Sequence, residues 1–157
     1  MVEPQRDNPG VLVFPPGLVF GTLGVSLVLH WLHPWRLPIG GTARILLSVA
    51  IGASALTLGL WGERAMHGAG TNVNPGKPST TIVTSGPFRF SRNPLYLFLT
   101  GLYLGVAVAV GTVWPFLWVV PMLLVLHFGV VLREERYLEA KFGEPYRAYK
   151  AQVRRWL

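Results

Sequence analysis

The stretch LYLFLTGLYLGVAVAVGTVWPFLWVVPMLLVLHFGVVL, residues 95–132, decides the fold, because it contains no Asp, Glu, Lys or Arg. Its apolar pattern is interrupted once, at Gly111-Thr112. At about 1.5 Å per helical residue, residues 113–132 are long enough for the ~30 Å hydrocarbon core, whereas residues 95–110 cover only ~24 Å. We therefore predict two transmembrane helices joined in a tight antiparallel hairpin. The shorter one needs its flank at 92–94, a locally thinned bilayer, or a place inside the bundle.

Two further apolar segments precede this hairpin, at about residues 11–32 and 43–61. The whole chain is 51% hydrophobic and 13% charged, against roughly 25% charged residues in a typical soluble domain. Residues 1–157 are therefore predicted to be a single all-α integral membrane domain with four transmembrane helices.

The cations are distributed unequally between the two sides that four spans define. One side holds both termini and the 62–94 loop with 12 of the 14 cations, and only Arg36 and Arg44 lie opposite. By the positive-inside rule, the termini and this loop face the cytoplasm. We expect the plasma (inner) membrane of a prokaryote. The net charge of +7 follows from this asymmetry, and no nucleic-acid partner is expected.

The segment after the fourth span predicts two short helices rather than a disordered basic tail. Helix-forming residues run from 133 to 142, Gly143 is a natural stop, and Pro145 suits the first turn of a second helix. On that second helix Tyr146, Tyr149, Val153 and Trp156 share one face, and the opposite face is basic, with Arg147, Lys150, Arg154 and Arg155. An amphipathic helix at the cytoplasmic membrane surface is predicted, either lying on anionic lipid or folding back as a lid.

Polar residues at the ends of the last two spans are the candidates for chemistry. Carboxylates are unexpected at the cytoplasmic end of a span, yet Glu134 and Glu135 lie there. His127 precedes Glu134 by seven residues, which in a regular helix gives both the same face. The chain has no cysteine, and its four histidines have no metal-ligand spacing, so no metal site is expected.

Three blocks of sequence together resemble a known family. AGTNVNP (69–75), TSGPFRFSRNPLY (84–96) and LREERYLEAKFGEPYRAYKAQVRRW (132–156) are similar to the isoprenylcysteine carboxyl methyltransferase family. That family belongs to a wider group of small membrane methyltransferases that includes phosphatidylethanolamine N-methyltransferases. The family usually has Arg-His-Pro-x-Tyr where this chain has Arg92-Asn93-Pro94-Leu95-Tyr96, and asparagine cannot act as an acid or base near neutral pH.

The resemblance implies an S-adenosylmethionine-dependent methyltransferase with its cofactor-binding region at about residues 68–157. It associates the Glu134-Glu135 pair with the cofactor, without deciding which glutamate makes contact. One of the pair can bind the ammonium or the ribose hydroxyls, and Arg92, with Arg89 and Arg133 as alternatives, can bind the carboxylate. Arg92 and Asn93 are expected to position the reactants, with no general base assigned. The full set of expected cofactor-binding residues is Gly86, Arg92, Asn93, Pro94, Tyr96, His127, Arg133, Glu134, Glu135, Tyr146 and Tyr149.

The acceptor is expected to be a lipophilic small molecule or lipid that enters from the bilayer. A prenylcysteine-like carboxylate is already ionised and needs no base, whereas a phospholipid amine would first have to lose a proton. Two other functions fit the same pattern. One is a membrane sterol or lipid reductase that uses NADPH, and the other is a non-catalytic scaffold or lipid-binding subunit. Membrane lipids are the expected surroundings, and the sequence assigns no oligomeric state.

Overall fold

The computed structural model describes residues 7–157, and this part of the chain is all-helical, with a single isolated bridge between Arg36 and Thr112. Arg6, one of the twelve cations counted above, lies outside the described residues. A 3-10 turn covers Gly86–Arg89 and a π turn covers His127–Val131. The six α-helices are α1 (Pro15–Leu32), α2 (Gly41–Gly68), α3 (Pro94–Val110), α4 (Trp114–Leu126), α5 (Leu132–Phe142) and α6 (Glu144–Gln152).

Within residues 7–157, three helical stretches are long and apolar enough to cross a membrane. They are Pro15–Leu32, Gly41–Gly68 and the continuous run Trp114–Phe142. The predicted membrane protein is thus supported by helix length and composition. Helix α3 is apolar but has only 17 residues, which agrees with the short third span expected from the sequence. The count of four spans and their orientation stay predictions.

The break at Gly111-Thr112 is a helix boundary, as predicted. Gly111 ends α3 in the left-handed conformation, with φ of 73°, which glycine adopts without steric cost. The turn pairs with the α1–α2 loop, since Leu37 N–H donates to Gly111 O at 2.9 Å and Val113 N–H donates to Trp35 O at 3.0 Å. One end of the bundle is closed by these two connections, which leaves the long loop and the C-terminal helices at the other end.

The buried core lies between α1, α3 and α4. Tyr103 is at its centre with 1% of its surface exposed, and its hydroxyl donates to Pro115 O at 3.0 Å, so the buried phenol is satisfied. The other core side chains come from the same three helices and the π turn: Val19, Leu23, Tyr96, Leu99, Met122, Leu126, Val130 and Val131.

Helix α2 packs along the outer side of α3 at very short range. At Gly101 an added Cβ would lie 2.8 Å from the Cβ of Ala55, a group fixed to the α2 backbone. Since neither atom can rotate away, any side chain at Gly101 has to push the two helices apart.

We expect Gly101→Ala to lower the free energy of unfolding by about 1–3 kcal/mol, the usual cost of overpacking. Gly52→Ala is the matched control, because a Cβ at Gly52 meets nothing within 4 Å. Thermal unfolding in detergent micelles measures both variants. Equal midpoints for Gly101→Ala and Gly52→Ala would contradict the close packing of α2 on α3.

Two predicted boundaries are wrong. The loop 62–94 was expected to begin directly after Trp61, but α2 continues for seven more residues to Gly68 because the residues that follow are mostly good helix formers. The last helix was expected to reach Trp156, but α6 ends at Gln152 and Val153 is extended. Val153 and Trp156 are therefore not part of a helical face.

Candidate functional site

A cavity of about 480 Å³ lies at the end of the bundle that carries the long loop. Its walls come from the start of α1, the C-terminal half of α2, the loop 71–83, the start of α3, and helices α5 and α6. Eight of the eleven residues expected from the sequence line it together: Arg92, Asn93, Pro94, Tyr96, Glu134, Glu135, Tyr146 and Tyr149.

A cluster of three charged side chains forms the polar end of this cavity. Arg155 forms a bidentate salt bridge with Glu135, in which Nε lies 2.7 Å from Oε1 and Nη2 lies 2.9 Å from Oε2. Arg92 Nη1 lies 3.0 Å from the same Oε1. The Arg92 and Glu135 side chains are only 9% and 7% exposed. One carboxylate therefore serves two guanidinium groups, and these three side chains together carry one net positive charge.

Arg92 is the cation of this cluster that lines the cavity. Among residues 7–157, neither Nε nor Nη1 of Arg92 has an acceptor in hydrogen-bonding geometry, although Nη1 is within ion-pair distance of Glu135. In that same part of the chain, Arg92 is also the only Lys or Arg that lines the cavity. Nε and Nη1 are themselves buried from the cavity, so the part of the Arg92 side chain that reaches the wall is the natural complement of an anionic ligand group.

Glu134 also lines the cavity, but its hydrogen-bond partner differs from the partners of Glu135. The Tyr96 hydroxyl donates to Glu134 Oε2 at 2.7 Å. This bond holds one carboxylate oxygen and leaves Oε1 of Glu134 without a side-chain donor in the described part of the chain. Glu135 is thus committed to two arginines, whereas Glu134 can bind a cation or a hydroxyl group in the cavity.

Asn93 fixes the C-terminal tail against the start of α3. Its Nδ2 donates to the main-chain oxygen of Arg155 at 2.9 Å, and Ser91 Oγ donates to the same oxygen at 3.3 Å. The amide of Arg92 donates to Arg154 O at 3.0 Å. The position needs an N–H donor rather than a proton-transfer group. Histidine can also donate, which gives a physical account of asparagine at this position.

Helix α6 covers the site instead of presenting its aromatic face away from the protein. Tyr146 and Tyr149 are 2% and 9% exposed, and the Tyr149 hydroxyl donates to Phe88 O at 2.8 Å. Burial raises the pKa of Tyr146 to about 12 and raises that of Tyr149 as well, so both phenols stay protonated at neutral pH. Of the two alternatives for this helix, the lid is the one that the packing supports.

The π turn explains why His127 and Glu134 do not meet. A π turn adds a residue to one helical turn, which rotates the following helix by about 100°. Glu134 lines the cavity, whereas His127 does not, and its ring packs at centroid distances of 4.9 Å from Phe128 and 6.1 Å from Trp156. The shared face expected from regular helical spacing is therefore wrong.

Gly86 and Arg133 also lie away from the cavity wall. Gly86 begins the 3-10 turn with φ of 60°, and a Cβ there would be 3.1 Å from Trp61 Nε1. Arg133 Nη1 donates to Gly10 O at 3.1 Å and so holds the segment before α1. Neither residue therefore contributes to the polar end of the cavity.

Sequence reasoning missed three parts of the site. Thr71, Asn72 and Asn74 line the cavity from within AGTNVNP, a block whose resemblance was noted without assigning its polar residues. Glu63 lines the cavity from the extra turns of α2. Arg155 was placed on the basic face of the last helix, opposite Tyr146 and Tyr149, and it turns inward because that helix ends at Gln152.

Comparison with known proteins agrees with this geometry. The family described as phospholipid methyltransferase matches residues 43–145, more than half of the chain, which confirms the resemblance to the wider methyltransferase group. An uncharacterized protein of Haemophilus influenzae (strain ATCC 51907 / DSM 11121 / KW20 / Rd) is 43% identical over 63 residues, which are 40% of this chain and 100% of that protein. No solved structure matches.

Proposed function

The chain belongs to the phospholipid methyltransferase family, and from that premise we propose that it is an integral membrane methyltransferase that takes its methyl group from S-adenosylmethionine. The observation that carries this proposal is Arg92, the only Lys or Arg among residues 7–157 on the wall of the cavity, which it shares with the Glu134 carboxylate. We place this site on the cytoplasmic side, because most cations of the chain lie at the same end of the bundle.

The residues present suit the donor molecule. A volume of about 480 Å³ is within the roughly 300–1,000 Å³ of small-molecule sites. Arg92 can bind a carboxylate, Glu134 can bind an ammonium or a ribose hydroxyl, and Phe98 can pack against an aromatic base. When bound, S-adenosylmethionine supplies a methyl group on a positively charged sulfur that a nucleophile can displace. The protein then contributes positioning and exclusion of water, in which Tyr146 and Tyr149 close one wall.

The other end of the cavity suits a lipophilic acceptor. Leu56 and Leu60 line it from α2, and each is also 50% exposed on the outer surface of the bundle. Phe14 lines it from the segment before α1 and is 58% exposed. An acceptor with a hydrocarbon chain can therefore keep that chain in the lipid while its reacting group approaches the polar end.

The charges favour this donor over a nicotinamide dinucleotide. The cavity is lined by the carboxylates Glu63, Glu134 and Glu135, and Arg92 is the only Lys or Arg on its wall within residues 7–157. A pyrophosphate is usually bound by several donors of positive charge. The zwitterionic end of S-adenosylmethionine instead needs one cation beside one carboxylate, which Arg92 and Glu134 supply.

We expect Glu134→Gln to weaken binding of S-adenosylhomocysteine by about 10–30-fold, because it replaces a charge-assisted hydrogen bond worth about 1.5–2 kcal/mol by a neutral one. Glu139→Gln is the matched control on the same helix, since Glu139 pairs with Lys150 and does not line the cavity. Calorimetry of the purified full chain measures both. Equal affinities for the two variants would count against a role of Glu134.

Methyl transfer itself tests the proposed function. The purified chain in lipid nanodiscs is incubated with S-adenosylmethionine carrying a labelled methyl group and a total lipid extract. We expect label in the lipid fraction, with much less from Glu134→Gln than from Glu139→Gln. Mass spectrometry of the labelled product then separates a carboxylate acceptor from an amine. If the protein binds S-adenosylhomocysteine but transfers no label to any lipid fraction, the proposal of a lipophilic acceptor is contradicted.

A further inference from the structure

Arg155 lies outside the cavity wall but directly behind two residues that form it. It does not line the cavity, its side chain is 33% exposed, and it lies beyond residues 43–145 that match the family. Its guanidinium donates hydrogen bonds to both carboxylate oxygens of Glu135, in the planar bidentate geometry typical of arginine–carboxylate pairs. Glu135 is thereby turned towards Arg155, and it reaches Arg92 through a single oxygen at 3.0 Å.

The main chain around Arg155 is held as firmly as its side chain. Asn93 Nδ2 and Ser91 Oγ both donate to Arg155 O, and the Arg92 amide donates to Arg154 O. Three hydrogen bonds thus tie this extended segment to the residues that start α3. The segment after α6 is therefore part of the site's support and is not a free end.

We propose that Arg155 is a positioning residue for the donor's carboxylate, which acts by occupying Glu135 so that the charge of Arg92 stays available to the ligand. Two guanidinium groups on one carboxylate leave these three side chains with one net positive charge next to the cavity. Without Arg155, Glu135 is free to pair with Arg92 by both oxygens, which neutralises the group that meets the ligand. This inference rests on the proposed function, and it adds a residue that the sequence assigned to the basic face of the last helix.

The inference predicts a selective loss of affinity rather than a general one. S-adenosylhomocysteine carries the carboxylate that Arg92 would bind, whereas 5′-methylthioadenosine has the same adenosine and thioether but no carboxylate. A residue that only supports the fold would affect both ligands equally. A residue that keeps Arg92 available affects S-adenosylhomocysteine alone.

Calorimetry of the full chain with these two ligands is the test. We expect Arg155→Ala to weaken S-adenosylhomocysteine binding by at least about tenfold, the size of one charge-assisted hydrogen bond, and 5′-methylthioadenosine binding by less than about twofold. Arg155→Lys keeps the charge without the fork and is expected to fall between wild type and Arg155→Ala, so it also serves if the alanine variant fails to fold. Arg147→Ala removes an exposed cation paired with Glu144, and it is expected to match wild type.

Each other outcome has a separate meaning. Unchanged S-adenosylhomocysteine affinity in both Arg155 variants overturns the inference and leaves the proposed function intact. Equal losses for the two ligands, or the same loss in Arg147→Ala, also overturn it. If wild-type protein binds no S-adenosylhomocysteine, the proposed function fails and the inference fails with it.

Discussion

Arg92→Gln is expected to lower the affinity for S-adenosylhomocysteine by about 100-fold or more. Two costs add at this position. The ligand loses a charge-assisted hydrogen bond worth about 1.5–3 kcal/mol, and its carboxylate loses the only Lys or Arg on the cavity wall in the described residues. Since the Arg92 side chain is 9% exposed, water cannot replace these contacts efficiently. Calorimetry of the full chain in detergent measures the affinity.

Two further variants define the role of Arg92. Arg92→Lys keeps the charge but loses the planar fork, so we expect it to recover only part of the affinity. Arg89→Gln removes an exposed arginine three residues earlier that does not line the cavity, and its affinity should match wild type. Wild-type affinity in Arg92→Gln, or equal losses in Arg92→Gln and Arg89→Gln, would remove Arg92 from the site.

Glu135→Gln is expected to cost about 3–5 kcal/mol of folding free energy. The substitution leaves Arg92 and Arg155 facing each other without the carboxylate that separates them, and removal of one partner from a buried ion pair has this typical cost. For a chain of this length, about 2–4 °C per kcal/mol corresponds to a fall of about 6–20 °C in the unfolding midpoint. Intrinsic tryptophan fluorescence during heating follows the transition.

Glu144→Gln is the matched control for stability. Glu144 also pairs with an arginine, Arg147, but its side chain is 77% exposed. Exposed ion pairs contribute about 0–1 kcal/mol, so the midpoint of Glu144→Gln should stay close to that of wild type. If Glu135→Gln unfolds at the same temperature as Glu144→Gln, the cluster of Arg92, Glu135 and Arg155 is not the support described above.

The helices were predictable from the sequence because their apolar length and their stop signals are local. The break at Gly111 and the stop at Gly143 were both correct, since each glycine has a positive φ at the position where a helix ends. The pairing of Arg92–Tyr96 with Glu134-Glu135 was also predictable, because a short turn joins the two helices that carry them.

What could not be predicted depends on the local backbone and on contacts distant in sequence. The π turn at His127–Val131 changes the phase of α5, and no residue pattern in the apolar run signals it. The role of Arg155 depends on where α6 ends and on bonds to Asn93 and Ser91, about sixty residues earlier. Helical periodicity alone placed this arginine on the face of α6 opposite Tyr146 and Tyr149, away from Glu135.

The most direct test of the central claim is calorimetric titration of the purified wild-type full chain with S-adenosylhomocysteine and, separately, with NADPH. The account predicts saturable binding of S-adenosylhomocysteine at one site per chain and no binding of NADPH. Binding of NADPH alone would contradict it and indicate a reductase, and binding of neither ligand would contradict it in favour of a non-catalytic membrane protein.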